Sequence, residues 1–240
     1  MFKHTSFLRF ATEIERAEGL RRWRDELGPL ELEIPGVVRY VQNPVVVTTT
    51  NDGAVEGPPG FDGLTSMGWV DRATYDAAIA SPEWAKAQEH AHQLVDPAWW
   101  ERGMSAMIEE RIKRVGMGAA DDGMSTPPGS PIKLVGLLRY RDGMTRDEAN
   151  HYWTTHHGDI ALTIREMGHY VQNHAIAPTS GSESDPLGFD GYSEAWFDDI
   201  DTYERAMASE PWHDLVDDGP ALFDMSVFLS GIVEEDVRRG

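Results

Sequence analysis

The sequence contains no cysteine among its 240 residues. Disulfide bonds, thiolate metal sites and a cysteine nucleophile are therefore excluded, and the composition fits a reducing compartment. Basic residues are scarce, since 21 lysines and arginines stand against 41 aspartates and glutamates, which gives a formal net charge of −20. Such a chain repels polyphosphates, so we expect neither a nucleic acid nor an anionic membrane as a partner.

Long apolar runs and cofactor motifs are also missing. No stretch approaches the roughly 20 apolar residues of a membrane-spanning helix, and the first residues lack the pattern of a secretion signal. We therefore expect a soluble, cytoplasmic protein. The sequence has no glycine-rich phosphate loop, no serine nucleophile elbow and no HExxH or CxxC motif, so we expect no cofactor and no metal.

What the sequence does contain is an internal repeat. VVRYVQNP at residues 37–44 returns as MGHYVQNH at residues 167–174, a shift of 130 residues that also places Trp153 on Trp23. GFDG at residues 60–63 returns at residues 188–191, a shift of 128 residues. Near the end of each copy, MSAMIEERIKRV is aligned with MSVFLSGIVEED. Matches in the same order along the chain indicate a tandem duplication.

Each copy predicts the element order β-α-β-β-α-β, which is an α+β fold of the ferredoxin-like type. The first helix of each copy is expected to begin at a capping box, formed by Thr12 with Glu15 and by Thr145 with Glu148. The composition of residues 116–131 predicts a flexible linker between a first repeat at residues 1–115 and a second repeat at residues 132–240.

We expect the two tandem repeats to pack sheet to sheet within one chain and to form a single-chain pseudodimeric α/β barrel. The linker would cross on the outside. A homodimer of the whole chain is compatible with this architecture.

Five of the nine histidines lie between residues 151 and 174. His156 and His157 fall on the apolar stripe of the predicted first helix of the second copy. The same stripe of the first copy carries Glu26 and Leu27 at these two positions. We therefore expect His157 to be buried, with a pKa lowered by desolvation unless a carboxylate lies near.

The segments YWTTHHGDI, GHYVQNH and FDGYSEAWF, in this order, resemble the EthD-domain family of the dimeric α/β-barrel superfamily. The resemblance implies small-molecule chemistry in a pocket of each ferredoxin-like unit. The motif histidine of the family corresponds to His157, although Asp159 stands where proline is usual. The first copy keeps GPL at residues 28–30 but has Leu27 at the histidine position. The resemblance thus implies one competent site, in the second repeat.

His157 is our first candidate for a general acid or base, with His156 and His174 as further catalytic candidates. His174 stands where the first copy has Pro44, so it is specific to the second copy. The alternative for His157 is a core histidine that bonds to a backbone carbonyl. This alternative and the catalytic hypothesis both stay open at the level of sequence.

Several aromatic and polar side chains are expected to bind a substrate. Alternation along the second strand puts Tyr170 and His174 on one face of the sheet and Asn173 on the other, and the sequence does not tell which face lines a pocket. The side chains that we predict to bind a substrate are Tyr152, Trp153, Tyr170, Asn173 and Trp196.

Two functional hypotheses follow. The first is a cofactor-independent enzyme for a small apolar or aromatic, polyketide-like molecule. It would act by dehydration, cyclisation or isomerisation, as a lyase or isomerase does, or by oxygenation as a cofactor-free monooxygenase. The alternative is a non-catalytic small-molecule-binding or accessory protein of a degradation pathway. A carrier needs the pocket, but it does not need a tuned histidine.

Overall fold

The computed structural model describes residues 1–50, 53–54, 57–115, 132–179 and 188–239. The predicted linker, residues 116–131, lies outside the described residues. The first repeat contains β1 (Phe2–Leu8), α1 (Arg16–Arg22), α2 (Gly28–Leu32), β2 (Arg39–Thr50), β3 (Gly53–Ala54), β4 (Gly63–Trp69), α3 (Arg72–Ile79), α4 (Pro82–His92), α5 (Pro97–Glu101) and β5 (Ser105–Arg114). A π-helical turn, Trp23–Leu27, joins α1 to α2.

The second repeat follows the same order of its main strands and helices, without a counterpart of α5, and adds a final strand, β10 (Asp236–Arg239), which pairs with β2. It contains β6 (Ile132–Leu138), α6 (Arg146–Tyr152), α7 (Gly158–Ala161), β7 (His169–Pro178), β8 (Gly191–Phe197), α8 (Ile200–Met207), α9 (Glu210–Leu222), β9 (Leu229–Val233) and β10 (Asp236–Arg239). The π-helical turn returns as Trp153–His157 between α6 and α7. We call residues at equivalent positions of the two repeats counterparts.

The sheets of the two repeats join at their edges. The first repeat orders its strands β2-β4-β1-β5 and the second β7-β8-β6-β9. β5 pairs with β7, and β2 pairs with β9, so that these eight strands close an antiparallel barrel with the helices outside. The predicted single-chain pseudodimeric α/β barrel is thereby confirmed, and closure leaves none of these eight strands as a free edge.

Two buried lysines tie the repeats together inside the barrel. Lys3 donates to Oδ1 of Asn173 at 2.9 Å, and its counterpart Lys133 donates to Oδ1 of Asn43 at 3.0 Å. Glu194 lies 3.3 Å from Lys3 and 2.5 Å from Lys133. Burial alone would raise the pKa of Glu194, but the two lysines hold it below its usual range. The asparagine is therefore repeated because each copy satisfies the lysine of the other.

The predicted capping boxes have different outcomes. The box of Thr145 and Glu148 is present at the start of α6. The prediction of a box formed by Thr12 and Glu15 is wrong. Glu15 is itself the cap residue of α1, and its carboxylate accepts hydrogen bonds from two backbone amides of the first turn. A glutamate in this place satisfies the free helix-start amides that the threonine was expected to bind.

Strand register corrects the alignment at the end of each copy. β1 pairs Ser6 with Ser105, and β6 pairs Gly136 with Ser230. Because Gly136 is the counterpart of Ser6, Ser230 is the counterpart of Ser105, and the alignment of MSAMIEERIKRV with MSVFLSGIVEED is wrong. The segment just before β9 is shorter than the equivalent segment of the first repeat, which forms α5 there.

Candidate active site

A cavity of about 90 Å³ lies in the second repeat, between the outer face of the sheet and the helices. Thr50 of the first repeat completes its wall. The wall is mostly apolar and aromatic, which suits a small apolar ligand. The side chains used below are Trp153, Ala161, Tyr170, Trp212, Phe223 and Phe228.

The same place in the first repeat is nearly closed, with a cavity of about 20 Å³. Its walls contain Leu27 and Ser105, the counterparts of His157 and Ser230, which line the larger cavity. The duplication therefore supplies an internal comparison between an open and a closed version of one site.

Two substitutions to alanine help to open the second cavity. Ala161 stands where the first repeat has the buried Glu31, and Ala195 stands where it has the buried Met67. Strand pairing supports the second correspondence, since Met67 faces His4 of β1 and Ala195 faces Leu134 of β6. Removing a carboxylate and a thioether chain from one wall leaves the space in which a ligand can lie.

The second repeat also lacks the helix that fills part of the equivalent site in the first repeat, α5. In the first repeat, Trp99 of α5 is buried and donates from its indole N–H to the carbonyl of Phe7 at 2.9 Å. The second repeat replaces this helix by a short turn, and Met225 and Phe228 of that turn face the cavity. The turn covers the cavity less completely than a helix anchored by a tryptophan.

The π-helical turn sets the position of His157. The amide of Gln172 donates to the carbonyl oxygen of Trp153 at 2.8 Å, as Gln42 does to that of Trp23 at 3.0 Å. The repeated glutamine is therefore structural, because it supports the carbonyl at the widened turn. A Cβ on Gly158 would lie 2.7 Å from the Trp153 carbonyl oxygen, so only glycine fits directly after His157.

His157 forms a buried pair with Asp218. Its Nδ1 lies 2.7 Å from Oδ2 of Asp218, and its ring packs edge-on against Phe223. Burial lowers the pKa of His157, and the hydrogen bond to Asp218 offsets only part of this. The neutral ring then donates from Nδ1, and Nε2 keeps a free lone pair for the cavity that the side chain lines. Within the described residues, no protein group bonds to this Nε2.

Asp218 on α9 was not predicted from the sequence. It also accepts a hydrogen bond from the Tyr152 hydroxyl at 2.7 Å and lies 3.3 Å from Nε2 of His156. In the first repeat, the counterpart of Asp218 is His90 and the counterpart of His156 is Glu26. These two side chains lie 3.6 Å apart, so the acidic and basic residues have exchanged places between the repeats. A comparison of the two copies for charge-exchanged positions is the signal that could have found Asp218.

His156 and Tyr152 contact the site from outside. The side chain of His156 is 60% exposed, in contrast to the buried His157 beside it. Both His156 and Tyr152 bind the carboxylate of Asp218 without lining the cavity. They can therefore hold the carboxylate of Asp218 in position, but they are not placed to touch a ligand in the cavity.

On β7, Tyr170 lines the cavity and His174 does not. His174 lies 2.8 Å from Oδ1 of Asn150, its ring packs on Trp153, and burial lowers its pKa to about 3. It shares a sheet face with Tyr170, as predicted, but it does not line the cavity. The hydroxyl of Tyr170 accepts a hydrogen bond from Gln172 at 3.4 Å.

Two predicted substrate-binding residues lie inside the barrel instead. Asn173 binds Lys3 and Glu194 there. The ring of Trp196 lies beneath the ammonium group of Lys133, with 4.9 Å between nitrogen and ring centre. Neither reaches the cavity that His157 lines. The structure thus brings together His157, Trp153 and Tyr170 of the predicted site, and not His174, Asn173 or Trp196.

Among the residues that the structure describes, no three histidine or carboxylate side chains are grouped so that they could hold a metal ion. None of the helices there is long and apolar enough to cross a bilayer.

The second repeat is similar to a known domain family. Residues 141–226 match the family model of the EthD domain, which confirms the resemblance seen in the sequence. No curated protein matches the chain. The chain is similar in structure to an anthrone oxidase-like protein, at 11% identity and a TM-score of 0.66, over 99% of this chain and 92% of that one. It is also similar to a candidate monooxygenase from Fusobacterium nucleatum subsp. nucleatum, at 8% identity and a TM-score of 0.55, over 99% and 94% of the two chains. These likenesses establish the fold.

Proposed function

We propose that the protein is an enzyme that acts on a small apolar or aromatic molecule in the second-repeat cavity, and the match of residues 141–226 to the EthD domain supports this. His157 is the general base, and the chemistry needs no cofactor. Dehydration, cyclisation, isomerisation and oxygenation by dioxygen can each begin with the removal of a proton from such a substrate, so one base can serve each of them.

The observation that carries this proposal is the buried pair of His157 and Asp218 at the cavity wall. A carboxylate on Nδ1 holds the imidazole in the tautomer whose Nε2 accepts a proton, and it stabilises the imidazolium that forms. A lowered pKa keeps His157 unprotonated near neutral pH, as a general base requires. A core histidine bonded to a backbone carbonyl would lack the carboxylate partner that Asp218 supplies here.

The comparison between repeats supports the same proposal. The first repeat keeps the fold with Leu27 at the histidine position and with its cavity nearly closed. Folding therefore requires neither the histidine nor the cavity, and both occur together in the second repeat. The names of the two structural neighbours, an anthrone oxidase-like protein and a candidate monooxygenase, favour oxygenation among the possible reactions.

Replacement of His157 by leucine tests the proposal. His157→Leu copies the first repeat, so the free energy of unfolding should change by less than about 1.5 kcal/mol. Turnover of anthrone and related hydroxylated aromatics in air-saturated buffer should fall by about 10²–10⁴-fold, the usual contribution of a general base. His156→Gln is the control, because it removes the outer imidazole without placing a second carboxylate beside Asp218, and it should cost less.

A carrier gives a different result. It would bind these aromatics with equal affinity in the wild type and in His157→Leu, without turnover in either protein. Full turnover in a folded His157→Leu variant would exclude His157 as the base.

A further inference from the structure

The two repeats use an equivalent tyrosine in different ways. In the first repeat the hydroxyl of Tyr40 donates to Oε2 of Glu31 at 2.5 Å, and both side chains are buried. Its counterpart Tyr170 lines the open cavity, and Ala161 stands where Glu31 would be. Among the described residues, the Tyr170 hydroxyl has no acceptor for its proton. The carboxylate oxygen of Glu31 therefore marks the place that an oxygen atom of a ligand can take in the second repeat.

The side chains around the Tyr170 hydroxyl favour an uncharged oxygen atom of a ligand at this place. Burial raises the pKa of Glu31 to about 7, although the hydrogen bond from Tyr40 opposes the rise. A negative charge at the equivalent depth of the second repeat is disfavoured in the same way. No lysine or arginine lines the cavity within the described residues, so nothing there offsets the charge of a carboxylate or a phosphate. A carbonyl oxygen accepts from a tyrosine hydroxyl without this penalty.

The base lies one helical turn away from this oxygen position. Ala161 follows His157 by four residues, and side chains at this spacing are neighbours, with about 5–6 Å between their Cβ atoms. A ligand whose carbonyl oxygen binds Tyr170 can therefore turn the adjacent carbon toward Nε2 of His157. Burial raises the pKa of Tyr170 above its usual range, so its hydroxyl stays protonated and available as a donor.

We infer that Tyr170 binds the carbonyl oxygen of the substrate, and that the substrate class of this site is an uncharged ketone with a C–H that the carbonyl makes acidic, either next to it or through a conjugated ring. This inference rests on the proposed function and narrows it. His157 takes the proton from carbon, the electron pair of the C–H bond forms the carbon–carbon double bond of an enolate, and the π pair of the carbonyl moves onto its oxygen. The enolate oxygen keeps the hydrogen bond from Tyr170, and Asp218 faces the imidazolium. Return of the proton from His157 to carbon reverses the step, so that no oxidant or reductant is needed.

Hydrogen exchange on a simple ketone tests the step without knowledge of the natural substrate. The probe is 2-tetralone in D₂O, followed by NMR at the carbon between the carbonyl and the ring. The full-length protein should accelerate deuterium incorporation above the rate in buffer alone. His157→Leu should abolish the acceleration. Tyr170→Phe keeps the ring and loses the hydroxyl, and it should reduce the acceleration by about 10²-fold, as the loss of one donor to an oxyanion does.

Tyr40→Phe is the matched control, because it removes the equivalent hydroxyl from the closed first-repeat site. It should leave the exchange rate unchanged, and circular dichroism should show all variants folded. Binding is measured separately by quenching of tryptophan fluorescence, for 2-tetralone and for the acid of similar shape, 1,2,3,4-tetrahydro-2-naphthoic acid. The ketone should bind at least tenfold more tightly at pH 8.

The outcomes separate this inference from the proposed function. Wild-type exchange that survives unchanged in Tyr170→Phe overturns the role of Tyr170. Binding of 2-tetralone without accelerated exchange, or equal binding of the acid, overturns the ketone class. In both cases a loss of aromatic turnover in His157→Leu would still support the proposed function. If 2-tetralone does not bind at all while hydroxylated aromatics are turned over, the ketone class is likewise wrong.

Discussion

Nδ1 of His157 lies 2.7 Å from Oδ2 of Asp218, whereas the counterparts of these residues in the first repeat are Leu27 and His90. The pair is thus a feature of one repeat only, built on a fold that both repeats share. Asp218 comes from α9 and His157 from the π-helical turn, so their contact depends on how α9 packs against α7 and that turn.

Asp218→Asn should lower kcat/KM for aromatic substrates by about 10²-fold or more while the protein stays folded. An amide removes the charge that opposes the burial effect, so the pKa of His157 should fall further and the acidic limb of the pH–rate profile should move to lower pH. Asp217→Asn, one residue away and exposed, is the control. An unchanged rate with an unchanged pH profile would show that Asp218 does not position the base.

Ala195→Met should close the second cavity, because the first repeat holds Met67 at this place. We expect the melting temperature to hold or rise and the affinity for 2-tetralone to fall by at least tenfold, measured by thermal melts and fluorescence titration. The reverse change, Met67→Ala, removes a buried side chain and should cost about 2–5 kcal/mol of unfolding free energy. Wild-type affinity in a folded Ala195→Met protein would place the ligand elsewhere.

The unfolding free energy should fall in acid partly because of His4. Burial lowers the pKa of His4 from 6.5 to about 3, so between these values the unfolded chain binds a proton that the folded chain does not. Stability therefore decreases as the pH falls below about 6.5, with a slope of up to about 1.4 kcal/mol per pH unit for this residue. His4→Leu copies its counterpart Leu134 and should lose less stability than the wild type between pH 7 and pH 5.

Urea titrations at the two pH values measure this difference, and substitution of the exposed His213 by glutamine is the control. If the wild type and His4→Leu lose the same amount between pH 7 and pH 5, His4 is not held unprotonated by burial.

Removal of the Glu194 carboxylate should lower the unfolding free energy of the barrel without changing the cavity, which Glu194 does not line. Glu194→Gln removes the charge that Lys3 and Lys133 share, but Lys3 keeps Glu110 at 2.8 Å and Lys133 keeps Glu235 at 2.7 Å. The loss of unfolding free energy should therefore stay below the roughly 3–5 kcal/mol of a buried charge that is left without any partner. Ser66→Ala, at the counterpart position, should cost much less. Chemical denaturation measures both, and equal losses would show that the shared charge contributes little to the pairing of the repeats.

Part of the candidate site follows from local patterns. The stripe that contains His157 is helical in period, and its equivalent in the first repeat carries Leu27, so burial of the imidazole could be predicted without coordinates. The placement of Tyr170 and Asn173 on opposite faces follows from strand alternation. Local sequence does not decide which face points into the barrel, because that depends on the edges that pair. For this reason Asn173 and Trp196 were expected at a substrate and lie inside the barrel instead.

The sequence by itself determined the duplication, the order of strands and helices, and the burial of His157, which has no histidine as its counterpart in the first repeat. Each of these depends on residues that are close in the chain or repeated within it. The tertiary structure alone decided the contact between His157 and Asp218 and the size of the cavity. Their carboxylate and imidazole are 61 residues apart. The cavity is the space left where Ala161 and Ala195 meet a turn that replaces α5, and such a space exists only once distant elements have packed together.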